Sequence, residues 1–471
     1  MLRPAFTSER SSVSRVSLSK KFWSGSRSFW LVALCLGVTG STWAQEPAAP
    51  PEPPAAPAEP TPPTPPTPPT PAAPASSSSV AVKASHEGFS LSAEDKSFQV
   101  KLRGYIHADG RAFLSKTDRP GTTGLLLRRA RPIVEGTLFS AFDFRLMLEF
   151  GGGTANVQDA YLDLKPSKAL RLRAGKYKAP FGLERMQSGT QLFFVERALP
   201  TQLTPNRDIG LQLHGELLGG ALNYAVGAFN GSPDGVSIDA NTDNSMDLVG
   251  RVFSQPFKGT ELAPLKGLGL GFAATHGKRI GTPSAPGLGS YRATSQLVFF
   301  SYLTGGNAAE AVVADGNHTR YSPQATYFWG PVGLMAEYIS SSQEVKRGAE
   351  SERLRHQSWQ ATGTFVLFGG KAAFEGVRPE KSLSLSEGNW GAVEVLGRYS
   401  ELRVDPDAFP FFADPNRSAG QAKSWGAGAN WYLNTNVRLY LNLDRTVFER
   451  GAIEGDRVPE TVLFSRFQVA W

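Results

Sequence analysis

Between residues 142 and 150 the side chains alternate: Phe142, Phe144, Leu146, Leu148 and Phe150 face one way, Asp143, Arg145, Met147 and Glu149 the other. A repeat of two is that of a β-strand, whose successive side chains leave opposite faces. Leu170, Leu172 and Ala174 repeat the pattern against Arg171 and Arg173. A soluble sheet can alternate in this way, but it hides its apolar face under helices. This chain has almost no helical periodicity to supply them. The pattern therefore predicts an all-β fold, an antiparallel transmembrane β-barrel covered by lipid.

From Phe98 to Trp471 about seventeen segments have suitable length and alternation, beginning with residues 98–113 and 125–138. Turn signals separate nearly all of them. Gly151-Gly152-Gly153, Leu218-Gly219-Gly220 and Asn434-Thr435-Asn436 read as tight ends, whereas residues 231–245, 279–289 and 405–420 read as long polar loops. Short turns on one rim and long loops on the other are the asymmetry of outer-membrane barrels, whose strand number in bacteria is even. Sixteen strands are expected for residues 98–471, with eighteen as the alternative, after a short lead-in at 80–97. Leu463, Phe467, Val469 and Trp471 share one face of the last segment, and such a terminal aromatic strand resembles the signal read by the barrel assembly machinery. Tyr327, Phe328, Trp329, Tyr338, Trp390, Tyr399, Trp425, Trp431 and Tyr432 lie near predicted strand ends, where an interfacial girdle places amphipathic rings.

Composition removes other classes. With 41% hydrophobic residues in 471, the chain is no helical membrane protein. Its only long apolar run, residues 29–40, is too short to span a bilayer and follows Arg3, Arg10, Arg15, Lys20, Lys21 and Arg27. Residues 1–44 are expected to be a signal peptide, with the mature chain starting at Gln45. The one cysteine, Cys35, lies inside this leader, and Leu34 before it argues against a lipoprotein signal. The mature chain then has no thiol for a disulfide, a zinc site or catalysis. Residues 45–79, rich in Pro, Ala and Thr and ending in four serines, read as a semi-rigid periplasmic linker.

The net charge of +7 suggests a polyanion partner until the leader is removed. Residues 1–44 hold six Lys/Arg and one Glu, leaving a mature excess of about two charges. That argues against nucleic acid. The excess is focused, because residues 96–198 contain 18 Lys/Arg against 9 Asp/Glu. On the inner face the pattern places Lys101, Arg103, Arg111, Arg129, Arg131, Arg145, Arg171 and Arg173. Arginine suits an anion path because its planar fork stays charged and passes oxygens between neighbouring donors. The competing reading is a wall whose arginines pair with Glu135, Asp143 and Asp159 to neutralise it. After Gly175 the alternation breaks and Ala179-Pro180-Phe181-Gly182 stops a strand, so residues 176–206 are expected to fold into the lumen as a constriction loop carrying Lys176, Lys178, Arg185 and Arg197. An external, solvated loop is the alternative.

The runs FDFRLMLEFGGG, QDAYLDL, LRLRAGKYKAPFGLERMQS and FFVERALPTQLTPNRDIGLQLHGEL, with GLMAEY and NWYLNTNVRLYLN later, resemble the phosphate-selective porin O and P family of Gram-negative bacteria. The resemblance covers residues 96–471. It implies a sixteen-stranded homotrimeric outer-membrane channel in which Arg and Lys guide small anions such as phosphate or polyphosphate through a constriction, with no catalysis and no cofactor. The later strands are poor in Lys and do not complete a phosphate-binding lysine cluster. A general porin of weak selectivity is the near alternative. A barrel enzyme is disfavoured: none of the six histidines lies in a metal-binding helix motif or beside an evident serine nucleophile. Residues 267–271, GLGLG, read as a kinked strand instead of a nucleotide loop. A wall anchor is suggested by the proline segment alone.

Overall fold

The computed structural model describes residues 80–115 and 121–471. The expected signal peptide and proline-rich linker lie outside these residues. The chain opens with a hairpin, β1 (Val80–Ser85) and β2 (Gly88–Ala93). The barrel then runs through β3 (Gln99–Phe113), β4 (Gly124–Leu138), β5 (Phe142–Glu149), β6 (Asn156–Leu164), β7 (Arg171–Lys178), β8 (Arg207–Leu217), β9 (Leu222–Phe229), β10 (Asp247–Ser254) and β11 (Leu268–Ile280). A two-stranded ribbon, β12 (Tyr291–Arg292) with β13 (Val298–Phe300), interrupts it within a loop. It resumes with β14 (Val313–Trp329), β15 (Val332–Arg347), β16 (Glu350–Phe368), β17 (Ala392–Arg403), β18 (Ala419–Tyr432), β19 (Val437–Arg450) and β20 (Glu460–Ala470).

Each barrel strand pairs antiparallel with the next, and β20 returns to β3 from Val462↔Phe113 to Ala470↔Tyr105. Sixteen strands close the barrel and the hairpin adds two to the same sheet. Closure leaves no backbone group unpaired toward lipid. At the seam Trp471 exchanges two backbone hydrogen bonds of 3.0 Å with Gly104. Below that point β2 takes over the edge of β3, from Phe89↔Leu102 to Ser92↔Gln99. The lead-in is thus part of the wall.

The outward faces carry the apolar half of the alternation. Leu102, Val134 and Leu146 are register neighbours on β3, β4 and β5, and Leu162, Leu172, Leu211 and Val226 continue around the wall. Tyr321, Tyr338, Trp359, Tyr399 and Trp425 ring the loop-bearing end of β14–β18 on the outside. Trp329, Trp390, Trp431 and Trp471 lie outward near the end of the termini. Phe328 and Tyr432 depart from the expected girdle, because both turn inward: Phe328 stacks on Phe193, and the Tyr432 hydroxyl donates to Glu394.

The interior along β14–β19 is packed solid. Near the loop-bearing end, Tyr291, Phe299 and Phe300 of the ribbon loop and Phe412 of residues 404–418 bury against Ile339, Leu354, Leu402 and Phe448. At mid-height Leu183, Phe193 and Phe194 meet Met335 and Leu396. At the end bearing the termini, residues 369–391 fold inward and bury Ala372 and Val377 against Val366 and Tyr432. This inward turn is absent from the loops the sequence reading picked out. Among the described residues no helix is long and apolar enough to cross a membrane.

Candidate functional site

Gly175 lets β7 close on β6 shortly before the inward loop. Its φ is +128°, and a Cβ there would stand 2.2 Å from the Ala160 carbonyl oxygen of β6, so only glycine lets the two strands approach. The strand does not stop there, however. Lys176 and Lys178 belong to β7 and pair in register with Ile209 and Arg207. This corrects the expected extent of the constriction loop, which runs over residues 179–206. Lys176 is held by Asp239 of the loop after β9, and the Lys178 ammonium donates to the Gln187 carbonyl at 2.7 Å. The alternation breaks because β7 leaves the lipid zone, so its last residues bury against loops.

Residues 179–206 lie inside the barrel as a folded body. Phe181, Leu183, Leu192, Phe193, Phe194, Val195 and Leu203 are buried. Polar side chains from successive strands clamp its backbone. The Leu183 N–H donates to Glu337 of β15 at 2.7 Å, and Gln360 of β16 reaches both Glu337 and Glu184. Arg398 of β17 donates to the Glu196 carbonyl at 2.9 Å and Asn430 of β18 to that of Phe193 at 3.0 Å. Asn442 of β19 accepts from the Val195 N–H, and Gln468 of β20 donates to the Thr190 carbonyl. The loop's own cations are spent internally. Arg185 donates to Thr204 Oγ1 and the Thr201 carbonyl, and Arg197 to the carbonyls of Glu184 and Gln187. Neither is free to meet a solute.

The open arc faces β4–β8. There Arg131, Arg145, Asp159, Tyr161, Arg173 and Arg207 stand opposite Met186, Ser188, Gly189 and Gln191 of the loop around a cavity of about 240 Å3. A larger space of about 380 Å3 lies toward the termini, where Arg103 and Arg145 face Arg378 of the inward turn and Arg438. A third, of about 470 Å3, is lined by Lys168, Arg171, Arg173, His214 and Arg251. The three share Arg145 or Arg173, so the cationic arc is continuous.

Carboxylates thread this arc. Glu135 bridges Arg103 and Arg145, while Asp159 bridges Arg145 at 3.4 Å and Arg207 at 2.9 Å. Asp143 and Asp163 hold Lys165, Arg171 and Arg173. In each of these clusters three cations meet two carboxylates. Arg173 also lies 4.3 Å over the Tyr161 ring, which orients its fork. Arg131 pairs with Glu149 and donates to the Tyr105 hydroxyl. Lys101 sits at the rim against Glu87 of the hairpin turn.

Two of the expected wall arginines are drawn away from the passage. Arg111 pairs with Glu196 of the loop at 3.0 Å. Arg129 is buried with its guanidinium 3.1 Å from His107 Nδ1. The cause is a β-bulge: His107 pairs with Arg129 but Ala108 with Leu127, so Arg128 is the extra residue. Arg128 therefore also turns inward, to Glu196 at 2.7 Å. Adjacent Arg128 and Arg129 could have signalled this, since strict alternation would send one of them into lipid. Arg207, Arg398 and Arg438 were also missed. Each stands singly in a mixed segment; Arg207 directly follows the loop, and only barrel closure brings Arg398 and Arg438 to it.

Ser341, His318 and Asp234 meet near the loop-bearing end without forming a catalytic triad. His318 Nε2 faces both Ser341 Oγ at 2.9 Å and Asp234 Oδ1 at 3.4 Å, while the Ser341 hydroxyl donates to Asp234 itself. One ring nitrogen would have to serve both partners, and all three residues are buried. Among the described residues no group of three or more His, Cys, Asp or Glu could hold a metal ion.

A closed lipid-faced barrel with a loop folded across a charged lumen defines an outer-membrane channel. Residues 98–471 match the family model of the phosphate-selective porins O and P, and the chain belongs to that family, placing it in the bacterial outer membrane. Solved structures share the fold. The outer membrane channel DcaP of Acinetobacter baumannii is 9% identical, covering 79% of this chain and 97% of its own, with a TM-score of 0.52. OmpT, an outer membrane protein of Vibrio cholerae, is 10% identical over 80% of this chain and 98% of its own, with a TM-score of 0.51. An anion-selective porin from Comamonas acidovorans is 12% identical over 79% of this chain and 99% of its own, with a TM-score of 0.50. No curated protein matches the chain.

Proposed function

We propose that the protein carries small anions passively across the outer membrane, with inorganic phosphate and short polyphosphates as its solutes. The observation that carries this reading is the imbalance along the open arc. Three cations share two carboxylates in each of its two main clusters, and Arg145, Arg173 and Arg207 border the smallest of the three spaces along it. A row of sites none of which is fully neutralised lets an anion enter and still leave. The family name points the same way. Reversal potentials in a salt gradient test it, repeated with millimolar phosphate to look for block of chloride current. A preference for anions that is lost in the double variant Arg145→Glu, Arg173→Glu supports the reading, and equal permeability to both ions overturns it.

A general porin of weak selectivity is the second reading. It is favoured by the carboxylate that accompanies nearly every arginine of the arc. For assembly we infer a homotrimer joined through the outward faces of β3–β8, which carry Leu, Val, Ala, Ile and Phe but no Trp or Tyr among the described residues. A face meeting a protein copy has no need of rings that anchor in a headgroup layer. Residues 1–44 would direct export, residues 45–79 would lie in the periplasm, and the β20 strand ending at Trp471 would be read by the barrel assembly machinery.

A further inference from the structure

Past the girdle at the loop-bearing end, the outside of β16–β19 turns cationic. The girdle here is Trp359 and Tyr399, 5.1 Å apart ring to ring, with Trp425 paired to Tyr399. Beyond it Arg355, Arg403 and Lys423 stand on the same outward faces, and Arg450 ends β19. With Phe409 and Asp405 they line a groove of about 620 Å3 under residues 404–409. It opens outward, since the Arg403 side chain is 65% exposed while Leu402 beside it is buried in the interior.

Four cations meet the carboxylates of Glu401, Asp405 and Glu449 here, which leaves the groove a net positive charge. Arg403 is held by Glu401, and Lys423 by Glu449 at 2.8 Å. Asp405 is spent on the backbone N–H groups of Arg355 and Asp407. Among the described residues neither the Arg355 nor the Arg450 side chain has a carboxylate within ion-pair distance, and Arg450 lies 5.4 Å over the Phe409 ring. On the lipid side of the girdle the same strands present Ala361, Gly363, Gly397, Ala427 and Ala429, with Gly363, Gly397 and Ala427 in one register row. Phe365 on one flank and Leu441 and Leu443 on the other stand out beside this strip of small residues.

We propose that the groove binds the phosphorylated headgroup of an outer-leaflet glycolipid, with one acyl chain lying along the small-residue strip. The two features lie on opposite sides of the girdle, as a headgroup and its chain must. Arginine forks match phosphate oxygens in pairs. A protein partner would instead cover the girdle rings, whose polar edges suit the headgroup layer. The ion path is on the other side of the sheet, so the groove and conduction are separable.

The test uses the purified full-length protein in detergent, the bisphosphorylated lipid A disaccharide, its dephosphorylated form and inorganic phosphate. Native mass spectrometry and the thermal unfolding midpoint are the readouts. The wild type is expected to retain the phosphorylated lipid and melt higher with it, but not to respond to the dephosphorylated form; any rise with inorganic phosphate, which the lumen takes up, should be the same in wild type and in the variant below. In the triple variant Arg355→Ala, Arg403→Ala, Arg450→Ala retention should fall about tenfold or more, because charge-assisted hydrogen bonds are lost, while the reversal potential stays unchanged. If the triple variant does not fold, the exposed single change Arg355→Gln is read in the same assay. Equal retention by wild type and variant overturns the proposal. So does a response to inorganic phosphate that the triple variant loses, equal retention of the dephosphorylated form, or an Arg403→Cys pair that cross-links two copies of the chain.

Discussion

The backbone N–H of Leu183 donates to Glu337 Oε2 at 2.7 Å, joining the inward loop to β15 at its entry. Glu337 also receives the Glu184 N–H and the Gln360 amide, so one carboxylate satisfies three donors. In Glu337→Ala the two backbone donors lose their acceptor inside the barrel, at about 1–3 kcal/mol each. The loop should loosen without unfolding the wall. Single-channel recording is expected to show larger and noisier openings than wild type, and a quiet trace of unchanged size would show that the remaining strands hold the loop alone.

Removing wall carboxylates should sharpen selectivity. Glu135 and Asp159 tie up Arg103, Arg145 and Arg207. In the double variant Glu135→Gln, Asp159→Asn the same arginines face the passage with two negative charges fewer. One unit charge at about 6 Å in a water-like medium is worth roughly 0.7 kcal/mol, or about threefold in local anion occupancy. The anion-to-cation permeability ratio should rise, and bi-ionic reversal potentials measure it. A fall would mean that the carboxylates position the arginines more than they screen them.

At the seam of the barrel Arg466 of β20 binds Asp109 of β3 through two hydrogen bonds of 2.7 Å, and both side chains are buried. Asp109→Asn leaves a buried guanidinium without its charge partner, a change that costs about 3–5 kcal/mol. The first and last strands should part earlier than the rest. Heat-modified electrophoretic mobility should show unfolding at lower temperature, whereas Lys101→Ala at the rim, where the pair with Glu87 is exposed, should leave it unmoved.

The strands were legible from their period of two, because lipid outside and water inside impose opposite demands on successive side chains. The wall arginines Arg145, Arg171 and Arg173 were legible for the same reason. Lys176 and Lys178 were not, since past Gly175 the strand meets loops instead of lipid and alternation carries no information there. The tie between Arg398 and the Glu196 carbonyl spans about two hundred residues and depends on barrel closure, to which local pattern is blind. The inward turn at residues 369–391 escaped because its buried residues, Ala372 and Val377, and the half-buried Phe374 lie in a polar segment rich in Gly, Ser and Glu.

Asp234 joins the loop after β9 to β14 and to the ribbon loop. It accepts from Arg320 Nε at 2.7 Å, from Ser341 and from Tyr291. Burial alone would raise its carboxyl, but Arg320 and His318 more than offset this and hold it well below the usual carboxylate range. A depressed folded value gives stability that is present above the unfolded value of about 3.9 and is lost only as pH falls through the folded one. The contribution of Asp234 itself should therefore be constant from pH 7 down to pH 4. Protease susceptibility of residues 281–312 should be higher in Asp234→Asn than in wild type at every pH in that range.

Residues 369–391 narrow the channel from the end opposite the long loops. The Gln187 amide of the inward loop donates to the Phe374 carbonyl at 2.8 Å, so the two insertions meet inside the barrel. Gly376, with φ at +88°, lets the turn pass Arg438, because a Cβ there would stand 2.5 Å from the guanidinium. Replacing residues 372–389 with a short glycine-containing turn should open the space bounded by Arg103, Arg145 and Arg438. Conductance should rise, because the obstruction goes. Selectivity should stay close to wild type, because Arg145, Arg173 and Arg207 are untouched. If selectivity falls with the turn, Arg378 and not the β4–β8 wall filters ions at that mouth, and Arg378→Gln in the intact chain should reproduce the loss.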